Sequence, residues 1–129
     1  MATGFPAVTG DVLTSAMFNG LTAFTVGAAN TVDYTAVLND QYQVVQLMNK
    51  ATAIAFKIPT DASVNFAIGT AITVLSIGAG TVTISAVTPG TTTVLSAGGT
   101  PASPSLGQYK SAVCIKTGAN AWYVIGAVA

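Results

Sequence analysis

The chain has 129 residues, 51% of them hydrophobic and only 6% charged, with four lysines against four aspartates and no histidine. That length supports a single domain with a real core, and that hydrophobicity excludes a disordered chain. A formal net charge of zero leaves no basic surface to neutralise phosphates, so nucleic acid is not expected as a partner.

Residues 1–30 read differently from the rest. Phe5-Pro6 and Gly10-Asp11 suggest irregular chain, and Thr14 could cap a short helix carrying Met17, Phe18 and Leu21 on one side before Asn19-Gly20 interrupts it. The segment is apolar through Phe5, Val12, Leu13, Met17, Phe18, Leu21 and Phe24, yet Pro6, Gly10, Gly20 and Gly27 break any regular alternation. Exposing such side chains forgoes about 1.5–3 kcal/mol each. The segment reads either as an N-terminal strand and turn packed on the same domain or as an arm that buries them against a neighbour; broken patterning suits the arm, and these seven residues are its candidate docking positions. The first cation is Lys50 and early glycines interrupt the apolar stretch, so no secretory signal is expected.

From Thr31 strand follows strand. Val32, Tyr34, Ala36 and Leu38 alternate with polar residues, and Asn39-Asp40 signals a turn. Tyr42 to Met48 reads as a strand apolar on both faces in places. Ile54, Phe56 and Ile58 alternate, Pro59–Ala62 turns, and Val64, Phe66 and Ile68 suggest another strand. Ile72 to Ile77 has the apolar run of a central strand, and Gly78-Ala79-Gly80 looks like a hairpin loop leading into Val82, Ile84 and Ala86. Thr91 to Leu95 is a further strand. After the loop Ser96–Gly107, Tyr109 to Lys116 alternates, Thr117–Asn120 closes a hairpin, and Trp122 to Gly126 ends the series.

Strands at this spacing predict an all-β fold over residues 31–129, an antiparallel β-sandwich or jelly-roll-like barrel preceded by the short arm at 1–30. No repeat of fixed period stands out. Residues 62–87 carry no charge, but Thr, Ser and Gly recur at period two, so strands rather than a membrane span are expected and no membrane partner.

The chemistry is defined by absence. Acid–base catalysis most often uses His or paired carboxylates, and Asp11, Asp33, Asp40 and Asp61 sit on separate segments. The single Cys114 lacks a histidine to activate it and reads as a small buried thiol. Zinc and calcium spacings are missing, so no cofactor or metal and no enzyme activity are expected. Trp122, Tyr123 and Tyr109 could stack on a sugar or belong to core and interface. An uncharged β-rich surface has few charges to block its edges, which favours a symmetric homo-oligomer.

Two stretches carry a family likeness: Ile58 to Thr70 running on through Ile72–Val74 and Gly78–Ile84, and Ser96–Gly99, Gly107–Tyr109 and the closing Trp122–Gly126. With the leader Gly10–Ala16, these resemble β-domains of tailed-bacteriophage virion proteins, found in tail-fibre-like and small capsid-surface proteins. The resemblance covers roughly residues 39–126 and implies no catalytic residues. It implies a capsid decoration, or cement, protein: a homotrimer bound to the major capsid protein on the virion's outer surface, made in the host cytoplasm. A tail-fibre or tail-tip subunit is the alternative, and a glycan-binding module a third.

Overall fold

The computed structural model describes residues 24–42, 44–96 and 104–128. Among these residues ten strands form two mixed sheets. In chain order they are β1 (Thr25–Val26), β2 (Tyr34–Thr35), β3 (Val44–Met48), β4 (Ile54–Ile58), β5 (Ala71–Ser76), β6 (Val82–Ala86), β7 (Thr93–Ser96), β8 (Ser105–Leu106), β9 (Ser111–Gly118) and β10 (Ala121–Gly126). The six-stranded sheet runs β1-β3-β5-β9-β10-β7 and the four-stranded sheet β2-β4-β6-β8.

The chain alternates between the sheets from β1 to β9, and from β1 to β6 successive strands of one sheet stack in parallel. β1, β3 and β5 pair in parallel in the larger sheet, as do β2, β4 and β6 in the smaller. Among the described residues only β5–β9, β9–β10 and β6–β8 are antiparallel, while β7 lies parallel to β10. The expected antiparallel arrangement is thus corrected to a mixed one. Alternation shows that a segment is a strand and which face it buries, but not which neighbour it pairs with.

β3–β4 and β5–β6 form two stacked rungs in uniform register. Val45 lies beside Thr73, Met48 beside Ser76, Ile54 beside Val82 and Ile58 beside Ala86, every pair 28 residues apart. The corners stack as well. Ile77 N–H donates to Met48 O at 2.9 Å and Gly80 N–H to Lys50 O at 2.8 Å. Gly78-Ala79-Gly80 is therefore a turn from one sheet to the other rather than a hairpin loop. An added Cβ would fall 2.3 Å from Lys50 N at Gly78 and 1.8 Å from Thr52 O at Gly80, so only glycine lets the two backbones approach. The preceding rung is offset differently, with Thr25 beside Val44 and Tyr34 beside Phe56, 19 and 22 residues apart.

Two other sequence expectations change. The stretch from Thr31 to Leu38 forms a strand only at Tyr34–Thr35, then a 3-10 turn at Leu38–Gln41. Val64, Phe66 and Ile68 lie in a loop: Phe66 is buried and Ile68 exposed. The proposed helix after Thr14 lies outside the described residues.

Side chains from both sheets meet in one apolar core. Met48, Ile72, Val74, Cys114, Trp122 and Val124 come from the larger sheet and Ile54, Phe56, Ile58, Val82, Ile84 and Leu106 from the smaller. Burying each large aliphatic or aromatic side chain is worth roughly 1.5–3 kcal/mol. Phe66 packs edge-on against Trp122 with ring centroids 5.4 Å apart, which anchors the loop between β4 and β5 to the core.

Candidate interaction surface

Two polar clusters are built around the buried Lys116 and around the buried Asp40 and Gln46, and both are occupied with structure. The first fastens the β4–β5 loop. Lys116, on the inner face of β9, is 2% exposed. Its Nζ donates to Phe66 O at 2.6 Å and pairs with Asp61 Oδ1 at 2.9 Å, with Asn65 Oδ1 at 3.5 Å. Asp61 and Asn120 also bond reciprocally: Asn120 N–H donates to Asp61 Oδ2 at 3.0 Å, and Asp61 N–H to Asn120 Oδ1 at 2.9 Å. Asn120 takes φ 50 in the β9–β10 turn, a left-handed conformation that asparagine tolerates.

The hydrogen bond from Lys116 holds the Asp61 carboxyl below its ordinary value of 3.8, helped by Asn120 N–H and opposed by burial. A depressed carboxyl contributes stability that is present above its unfolded pKa and is lost as pH falls through the folded one. Unfolding followed by denaturant titration is therefore expected to show constant stability from this pair at pH 5–7 and a decline below about pH 4. That component should be absent in Asp61→Asn, and an unchanged acid limb in this variant would contradict the assignment.

The second cluster surrounds Asp40, which is buried rather than solvated as a turn aspartate would be. Tyr34 OH donates to Asp40 Oδ2 at 2.8 Å, Val37 N–H to the same oxygen at 3.0 Å, and Gln46 Nε2 to Oδ1 at 2.7 Å. Asn30 Nδ2 extends the network to Gln46 Oε1 at 3.0 Å. Burial, with the Asp40 hydrogen bond, raises the Tyr34 phenol well above its usual range. Three neutral donors solvate this carboxylate and tie β2, the 3-10 turn and β3 together.

Cys114 is buried, and burial pushes its thiol up to about 12, which leaves no thiolate near neutral pH. Among the described residues no group of three or more His, Cys, Asp or Glu side chains converges as metal ligands. No helix among them is long and apolar enough to cross a membrane. A shallow depression of 220 Å³ is lined by Asp33, Ala53, Ile54, Ala55 and Thr83. Its carboxylate is already used, accepting from Ala55 N–H at 2.9 Å.

The aromatic trio does not form a stacking platform. Trp122 is in the core, and its neighbour Tyr123 points to the opposite face of the sheet. Tyr109 is 76% exposed in a turn at φ 62, with its N–H donating to Ser76 O at 2.7 Å. Of the candidate docking residues, Phe5, Val12, Leu13, Met17, Phe18 and Leu21 lie outside the described residues. Phe24 is exposed and immediately precedes β1. Residues 24–30, assigned to the arm from sequence, join the larger sheet through β1 and the Asn30–Met48 bridge.

The outward faces of the two sheets differ sharply. On the four-stranded sheet the register sets Thr35, Lys57 and Ser85 in one row and Ala55, Thr83 and Ser105 in the next. Lys57 and Asp33 add a loose, solvent-exposed ion pair at 3.8 Å. On the six-stranded sheet one row is Val26, Val45, Thr73, Val113 and Ile125, and the next is Ala71, Ile115, Tyr123 and Leu95. A third joins Leu47, Leu75 and Ser111. No charged side chain stands in these rows, and none of these residues belongs to the core cluster. Sequence reasoning missed this face, although the signal was present as strands apolar at both parities.

In comparisons with known proteins, no family model, no curated protein and no solved structure matches the chain.

Proposed function

We propose that this chain is a structural virion protein of a tailed bacteriophage, a capsid decoration protein that binds the outer capsid surface and stabilises the head. The observation that carries this reading is the uncharged apolar outer face of the six-stranded sheet, on a domain whose two polar clusters are consumed in holding the fold. Apolar surface of that extent on a soluble protein marks a contact with another macromolecule. In this reading the domain works as a two-layer sandwich, supported by the single core that draws on both sheets. It has no enzyme activity and no cofactor, its partners are copies of itself and the major capsid protein, and it is made in the host cytoplasm.

A tail-fibre or tail-tip subunit is the second reading. The observation favouring it is the parallel stacking of rungs, whose first rung presents two short edge strands, β1 and β2, at one end. Stacked architectures extend along one axis and need their terminal rungs covered. The glycan-binding alternative loses its main support with Trp122 in the core.

Gold labelling of a tagged full-length chain on assembled particles separates these readings. Regular label over the head is expected. Label at the tail selects the second reading, and unlabelled particles overturn both. Deleting residues 1–23, which stops short of β1, should leave cooperative melting intact and abolish attachment to heads.

A further inference from the structure

We draw no further inference here: the strongest candidate, the apolar outer face of the six-stranded sheet, is an unpartnered sheet face, and nothing in the structure shows what covers it.

Discussion

Replacing Gly80 by alanine is expected to destabilise the domain by at least about 3 kcal/mol, at the upper end of overpacking effects. The added Cβ would stand 1.8 Å from Thr52 O and 2.9 Å from Lys50 O. Both are backbone atoms, so no side chain can swing aside. The corner must part, and the Gly80 N–H to Lys50 O bond and the Ile54 N–H to Thr81 O bond that hold the rungs together would go with it. Gly90→Ala is the control. A Cβ there meets nothing within 4 Å, so the change should be neutral or stabilising by a few tenths of a kcal/mol through the unfolded chain. Equal denaturation midpoints for the two variants would show that the corner is looser than its geometry indicates.

Lys116→Met should cost about 3 kcal/mol. Removing one member of a buried pair typically costs 3–5 kcal/mol, because the other is left without its counter-charge. The lower figure applies because the Asp61 side chain is 21% exposed and keeps some water. The carbonyl of Phe66 also loses its donor, so the β4–β5 loop should loosen before the sheets do. For a domain of this size the loss corresponds to a melting temperature lower by roughly 10–20 °C. Adding Asp61→Asn should recover part of it, since the stranded charge disappears while an acceptor for Asn120 N–H remains. A single variant that melts within about 3 °C of wild type would show that the pair contributes little.

Most strands were legible because their apolar residues recur at period two. β4, β5, β6, β9 and β10 fall where Ile54, Ile72, Val82, Val113 and Trp122 predicted them. The same parity placed Lys116 on the face of Ala112 and Cys114, so its burial could have been anticipated from position alone. Pairing was not legible. The two best-stacked rungs share only Leu47 with Leu75 and Ala51 with Ala79 at equivalent positions, and the rung before them has different offsets. A corner and a hairpin also use the same glycines, so Gly78 to Gly80 could be read either way. Val64, Phe66 and Ile68 alternate as a strand would, but one buried anchor, two backbone hydrogen bonds to β9 and the Lys116 side chain fix that loop. Asp40 is buried because Tyr34, Val37 and Gln46 converge on it, a convergence that no local pattern announces.

The parallel stacking also dictates the order in which the chain can assemble. The β9–β10 pairing joins residues as close as Gly118 and Ala121, across a turn of a few residues, and closes within microseconds as hairpins do. Every parallel pairing must instead wait for a far strand to return, across 28 residues for β3 with β5, and chain closure must precede the contacts that reward it. Chain closure alone favours the hairpin at the C-terminal end as the first template, with β5 joining it through β9. Growth then proceeds back toward β1 and β2, each only two residues long. During synthesis the ribosome releases the segments in the opposite order, so β1 to β6 emerge before their template exists. An apolar chain with few charges is then exposed for as long as the last strands take to appear, and its rate of translation bears directly on how much of it reaches the folded state.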